Sequence, residues 1–528
     1  MRDGITLSTN VFLPAGEGPF PVLLIRTPYN AAAMSRPEAW TERGYAFVAQ
    51  DVRGRFRSEG EDRPWFREKE DGEDTLEWLS RQSWCNGRVA MYGGSYPGAT
   101  QTAAARSGHA ALRCFTPALT GAECYHWCYW GGALRYGRIA RWILRAPQEL
   151  DQEKINGNRR LSESDVIARG KQLPLWREIL NHPVNDGFWK KDSFAEDRKK
   201  VQAPAFIRTG WFDLFVADVF DLYNGIRREA ASQRAREGTR IIVGPWPHDI
   251  NQTRTGDVDF GDAGKIPDLF EQELLYIDRF TRDDSEASIP AAPIRIFVMG
   301  ANEWRDEYEW PLARTRWTKL YLASGGKANT ANGDGKLAET ASGEADGFDY
   351  DPADPVPTLG GAWDFTNCGL MDQRDLERRD DVLVYTSDVL ASAMEVTGPV
   401  SAELYIASSA PDTDFTVKLV DVAPDGTALG VTDGIVRTRY RNGVPAGELL
   451  QPGAICQLTI HCPPTSYLFR KGHRIRVQVS SSNFPVFARN PNTGEPYGQE
   501  VSEGRIAHQK VHHTPRYPSS ITLPMIPQ

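Results

Sequence analysis

The chain has 528 residues, room for roughly three domains at about 150 residues each. Its 40% hydrophobic and 25% charged content is that of a folded globular protein and excludes a disordered or fibrous one. The 61 Lys and Arg against 70 Asp and Glu give a formal charge of -9 with both signs scattered, so no basic stripe exists to neutralise phosphates and no nucleic-acid partner is expected.

Residues 1–135 place apolar, β-rich runs before turns and amphipathic stretches, the order of a parallel α/β sheet. Met1-Arg2-Asp3-Gly4 reads as a turn, not an apolar signal, and no run reaches the roughly 18 apolar residues of a membrane span, so a cytoplasmic protein with no membrane partner is expected. Strands are predicted at 21–26, 45–50, 88–92 and 112–116, with helical spacing over 71–79. Gly and Pro gather at the strand ends, as in Thr27-Pro28-Tyr29 and Asp51-Val52-Arg53-Gly54, and functional side chains are expected on those loops.

Over 136–200 the texture turns charged and amphipathic, as at 162–171 and 175–180, which reads as a helical cap inserted over a pocket. Strand-like runs return at 205–209 and 240–243, followed by a helical stretch at 268–280, so residues 201–288 complete the α/β domain. Residues 289–528 read as an all-β jelly roll, with strands at 294–299, 319–322, 382–385, 400–406, 415–420 and 475–479 and turns such as Pro424-Asp425-Gly426. The polar stretch 325–346 is expected to be a mobile surface loop. Seven cysteines, an odd number without C-x-x-C spacing, read as mostly buried thiols, the nearest approach being Cys124 and Cys128. Neither a metal nor a cofactor is expected.

The most informative segment is Gly93-Gly94-Ser95-Tyr96-Pro97-Gly98, between the strand at 88–92 and the helix-compatible run 99–106. A serine among glycines where a strand turns into a helix is what a nucleophile elbow requires, although the second glycine sits one position later than in G-x-S-x-G. A serine hydroxyl is a weak nucleophile, so it needs a base within hydrogen-bond reach and a carboxylate to hold that base in the right tautomer. Both should follow the serine in chain order, each just after a later strand. His248, in Gly244-Pro245-Trp246-Pro247-His248, fits the base; His109 and His126 lie too early and His182 falls in the cap. Asp213, in Gly210-Trp211-Phe212-Asp213, is favoured as the acid over its rival Asp218, which suits the helix that follows.

These segments, with Asp51-Val52-Arg53-Gly54, Ser58, Gly60, residues 350–355 and residues 408–415, resemble the cocaine-esterase-like (CocE/NonD) hydrolases, relatives of the Xaa-Pro dipeptidyl-peptidases. The resemblance spans nearly the whole chain. It implies an α/β fold class: an α/β-hydrolase domain with an inserted helical cap and a C-terminal all-β jelly-roll domain. It also implies an oxyanion hole made by the Tyr96 backbone N–H and by the hydroxyl of Tyr29 in an Arg-x-Pro-Tyr loop. Relatives carry a short stretch before Met-Arg-Asp-Gly, so either an absent first strand or a truncated start is expected.

Aromatic residues beside the triad candidates, among them Trp127, Tyr129, Trp130 and Phe212, are the candidate substrate-binding residues and suit an apolar acyl or aryl group. The family's amine-recognising ester hydrolases place carboxylates two and three positions after the acid; here those positions are Phe215 and Val216, and Glu123 is the one nearby carboxylate that could meet an amino terminus. The expected function is a serine esterase that cleaves a small-molecule carboxylic ester, or an amide, through an acyl-enzyme. The alternatives are an Xaa-Pro dipeptidyl-peptidase or acylase, and a carbohydrate-binding protein with a silent hydrolase domain. A homodimer is one assembly the sequence leaves open.

Overall fold

The computed structural model describes residues 1–34, 37–145, 170, 172–282, 289–364, 367–497 and 504–527. Its first sheet has nine strands: β1 (Thr9–Phe12), β2 (Phe20–Thr27), β3 (Ala46–Asp51), β4 (Cys85–Gly94), β5 (Leu112–Ala118), β6 (Phe206–Gly210), β7 (Arg240–Gly244), β8 (Ile294–Val298) and β9 (Glu303–Glu307). They lie in the order β1-β3-β2-β4-β5-β6-β7-β8-β9. All neighbours are parallel except at the two edges, where β1 runs antiparallel to β3 and β9 to β8.

Continuous apolar runs form the central strands because helices cover both faces. Alternation along β2 shows the division. Val22 and Leu24 pack in one cluster with Leu76 and Leu79 of α1 (Glu68–Ser80), Ala104 of α2 (Tyr96–Ala105) and Leu222 of α3 (Val219–Glu229). Leu23 and Ile25 face the other way, with Leu274 and Ile277 of α4 (Leu269–Thr281).

The second sheet has twelve strands and belongs to the C-terminal all-β region; its longest pairing joins Met394–Ser408 to Cys456–Phe469. Ile294–Val298, expected to open this β region, instead pairs in parallel with β7, Ile294 opposite Ile241 and Ile296 opposite Val243. A short apolar run reads alike in either sheet, and only long-range pairing decides where it goes. The expected mobile loop at 325–346 is also corrected, since it holds strands Lys336–Ala338 and Ser342–Glu344. Two of its carboxylates anchor it through hydrogen bonds. The Asp334 carboxylate accepts the Gly325 and Lys327 N–H groups at 2.9 and 3.2 Å, and buried Asp346 accepts the hydroxyls of Ser324 and Tyr385, each at 2.7 Å.

Of the cap expectation, the helix at 162–171 lies outside the described residues, apart from 170. The one at 175–180 corresponds to Pro174–Asn181, which buries Leu175, Trp176 and Ile179. The all-β region grips the segment between β5 and the cap: Tyr497 donates its hydroxyl to the Gly132 carbonyl at 3.0 Å and accepts the Leu134 N–H at 3.0 Å. All seven cysteines are free thiols, five buried and Cys124 and Cys456 partly so. No helix among the described residues is long and apolar enough to cross a membrane.

Candidate active site

β4 runs into α2 through Ser95, which adopts φ 63° and ψ -128°. A non-glycine residue held there stores about 1–3 kcal/mol of strain, and in return its side chain stands clear of both strand and helix. The turn is pinned by the Ser95 N–H, which donates to the Ala118 carbonyl at the end of β5 at 2.9 Å. Gly93 has φ 124°, and a Cβ there would meet the Pro97 Cβ at 2.7 Å. A Cβ on Gly94 would make only ordinary contact, whereas one on Gly98 would meet the Ala118 carbonyl at 2.9 Å. The late second glycine thus answers a close approach of α2 to the end of β5.

The loops after β6 and β7 are stitched together. Trp211 N–H donates to the Gly244 carbonyl at 2.9 Å and Phe212 N–H to the Trp246 carbonyl at 3.1 Å. This sets Asp213, fully buried, against His248. His248 Nδ1 lies 2.5 Å from Asp213 Oδ2, and its Nε2 lies 2.9 Å from Ser95 Oγ. The other Asp213 oxygen accepts the Phe215 N–H at 2.9 Å, which fixes the carboxylate plane. Asp218 is engaged elsewhere: its Oδ2 lies 3.0 Å from His126 Nδ1 and accepts the Glu123 N–H at 2.8 Å.

Tyr96 is buried, and its phenol donates to Glu68 Oε1 at 2.7 Å and accepts the Trp65 N–H at 2.8 Å. Burial, with the Glu68 charge beside it, pushes this phenol well above its ordinary range, so it stays protonated and donates. The first N–H groups of a helix have no intrahelical acceptor, so the Tyr96 N–H, at the start of α2, is presented beside Ser95. Tyr29 is half-buried; its ring meets Trp142 edge-on at 6.3 Å, and Tyr96 stacks on the same indole at 5.5 Å. One cap tryptophan therefore touches both tyrosines.

The four substrate-binding candidates are placed in different surroundings. Trp127 packs 5.0 Å from both Trp65 and Phe215, and Phe215 reaches the His248 ring edge-on at 5.5 Å. Tyr129 is fully buried, with its hydroxyl on the Ile179 carbonyl of the cap. Trp130 points to the all-β region, donating to the His461 carbonyl and packing on Trp363. Phe212 belongs to the large core cluster under the sheet. Glu123, the candidate amine ligand, is buried and accepts the Ala195 N–H at 3.0 Å; burial pushes its carboxyl up. Sequence reasoning missed Phe215, which meets His248, and Trp65 and Trp142, which both stack on Tyr96. Trp142 sits in a cap whose docking no local pattern encodes, and nothing local to Phe215 shows that its ring faces His248. No group of His, Cys, Asp and Glu that could hold a metal ion occurs among the described residues.

A parallel sheet with helices on both faces, a serine at the strand-to-helix elbow and a hydrogen-bonded Ser–His–Asp line from the loops after β4, β6 and β7 define a serine hydrolase of the α/β-hydrolase class. Residues 3–249 match the model of the X-Pro dipeptidyl-peptidase (S15 family), and residues 290–522 that of the X-Pro dipeptidyl-peptidase C-terminal non-catalytic domain. The chain is 40% identical to a cocaine esterase of Rhodococcus sp. (strain MB1 Bresler), over 100% of this chain and 97% of that one. An α-amino acid ester hydrolase structure superposes with a TM-score of 0.83 at 26% identity, over 99% of this chain and 95% of that chain. An aminopeptidase from a marine sediment archaeon, Thaumarchaeota archaeon, gives 0.81 at 26% identity, over 100% and 95%. The chain belongs to the CocE/NonD family of hydrolases, the group related to the X-Pro dipeptidyl-peptidases.

Proposed function

We propose that this protein hydrolyses carboxylic esters through an acyl-enzyme on Ser95. The observation that carries the proposal is the line Ser95 Oγ, His248 Nε2, His248 Nδ1, Asp213 Oδ2, with contacts of 2.9 and 2.5 Å. As Ser95 attacks the ester carbonyl, His248 Nε2 takes its proton and Asp213 holds the imidazolium that forms. The carbonyl oxygen becomes an oxyanion and receives hydrogen bonds from the Tyr96 N–H and the Tyr29 hydroxyl. His248 then gives its proton to the departing alkoxide, leaving the acyl group on Ser95. Water repeats the sequence: His248 takes its proton, hydroxide adds to the acyl carbon, and the proton returns to Ser95 Oγ as the carboxylic acid leaves. The complete hydrogen-bonded line argues against a silent hydrolase domain.

The acyl group we propose is apolar or aromatic. Phe215 beside His248, Trp127 against Phe215, and Trp142 against Tyr29 offer ring faces and edges near the reacting carbonyl and no carboxylate for an ammonium group. Phe215 and Val216 are buried and apolar, and the Glu123 carboxylate is tied to the cap backbone, which argues against an amine-anchored peptidase. A panel of p-nitrophenyl esters and aminoacyl-proline anilides tests the proposal. Turnover of acetyl, butyryl and benzoyl esters with little anilide cleavage is expected, and preferential cleavage of the anilides would assign a dipeptidyl-peptidase instead.

A further inference from the structure

Behind the elbow lies a buried polar chain that the esterase mechanism does not use. Arg26, fully buried near the end of β2, donates from Nη1 to Glu68 Oε2 at 2.8 Å and from Nε to Gln50 Oε1 at 2.7 Å. Glu68 opens α1, where a carboxylate also meets the positive end of the helix dipole. Its second oxygen accepts the Tyr96 hydroxyl at 2.7 Å. That hydroxyl in turn accepts the Trp65 N–H, and Trp65 stacks on Tyr96 at 6.2 Å. The Arg26 carbonyl accepts the Thr100 hydroxyl of α2 at 3.2 Å.

The arrangement crosses the site. Arg26 is the penultimate residue of β2, the strand from which the loop bearing Tyr29 departs, and Tyr96 carries the N–H next to the nucleophile. One carboxylate thus joins the supports of the two proposed oxyanion donors, β2 and α2, which also meet directly where the Thr100 hydroxyl reaches the Arg26 carbonyl. A fully desolvated charged pair is costly to bury, so by itself it is weak grounds for stability. Holding two donors at a fixed separation is a different use: an oxyanion site works by being organised before charge develops, and a shift of about 1 Å can cost on the order of 100-fold in rate.

We propose that the Arg26–Glu68–Tyr96 chain is a positioning device that sets the Tyr29 hydroxyl and the Tyr96 N–H at the spacing an oxyanion requires, with Glu68 as the positioning residue. The inference rests on the oxyanion reading given above. It assigns the Tyr96 phenol a task distinct from that of its own N–H. The side chain never touches substrate, and acts by fixing the first turn of α2.

The test uses the full chain with Tyr96→Phe and Glu68→Gln, each alone and combined with Tyr29→Phe. Measured are kcat and KM on p-nitrophenyl butyrate, the inhibition constant of an aryl boronic acid that forms a tetrahedral adduct on Ser95, and the melting temperature. Tyr96→Phe is expected to lower kcat about 10- to 100-fold with KM within about 2-fold, and to weaken the boronic acid by a similar factor. Glu68→Gln, which keeps an acceptor for the phenol but loses the pairing with Arg26, should lie between it and wild type. In the Tyr29→Phe background both losses should shrink, because one of the two donors to be spaced is already gone. Variants that melt lower yet keep wild-type kcat and boronic acid affinity would overturn the positioning role and leave a structural one. Losses that simply multiply with that of Tyr29→Phe would also overturn it. Should Tyr29→Phe alone keep full kcat, the oxyanion reading fails at its source, which is a separate result from failure of the chain behind it.

Discussion

Asp218 Oδ2 lies 3.0 Å from His126 Nδ1, so the carboxylate that rivals Asp213 in the sequence is committed to a different histidine. The pair also fixes the turn after β5 to the segment leading into α3, since Asp218 accepts the Glu123 N–H as well. Burial pulls the His126 imidazolium down, but the Asp218 carboxylate outweighs it, and the net direction is up.

This separation gives a direct comparison. Asp213→Asn should fold normally and lose on the order of 10⁴ in kcat, through the wrong imidazole tautomer and the lost charge. Asp218→Asn should lose stability, with kcat per folded molecule within about tenfold of wild type. Steady-state kinetics with circular dichroism on both variants decides it, and the reverse ranking would move the acid to Asp218.

For Tyr29→Phe the expected loss is about 10² to 10³ in kcat with KM little changed, because the hydroxyl is called on only as the carbonyl oxygen gains charge. A merely structural hydrogen bond would cost about 1 kcal/mol of stability and leave kcat alone. Kinetics on an activated ester beside a melting curve separates the two.

Phe215 lies edge-on to the His248 ring at 5.5 Å, so Phe215→Ala should lower kcat/KM for a benzoyl ester about 10- to 100-fold more than for an acetyl ester. Equal losses on both substrates would remove Phe215 from the acyl pocket and leave it a support for the histidine.

Asp197 sets an acid limit on the cap. Its carboxylate meets Lys69 at 2.5 Å, Lys200 at 2.7 Å and Arg106 at 3.2 Å. Burial pushes it up, but the hydrogen bonds from Lys200 and Lys69 and the Arg106 charge outweigh that and hold it at about 2. An unfolded aspartate titrates near 3.9, so as pH falls the unfolded chain takes the proton first. The stabilisation is present in full above about pH 5 and lost between about pH 4 and pH 2. Asp197→Asn should melt lower than wild type at pH 6, with the gap closing below about pH 4. A gap that does not change with pH would contradict the ion-pair account.

Much of this arrangement was legible in the residues because the elements concerned carry local signals. The runs at 21–26, 88–92, 112–116 and 240–243 are apolar enough for buried strands, and β2, β4, β5 and β7 cover them. The glycines around Ser95 announce a turn that a Cβ at Gly93 or Gly98 would block. What stayed hidden depends on contacts between distant segments. Nothing local assigns Ile294–Val298 to the first sheet, and nothing in Glu68, which reads as an ordinary acidic first turn, shows that its carboxylate faces a buried arginine and the Tyr96 phenol. The candidate aromatics illustrate the same limit. Trp127 and Trp130 lie in one short run, yet the first packs against Phe215 and the second against Trp363.

The central claim is that Ser95 becomes acylated, and a fluorophosphonate probe tests it most directly. Intact-mass and peptide analysis should find one adduct on wild type, on Ser95, formed in step with loss of esterase activity, and none on Ser95→Ala. An adduct on another serine, or full ester hydrolysis by Ser95→Ala, would contradict the account.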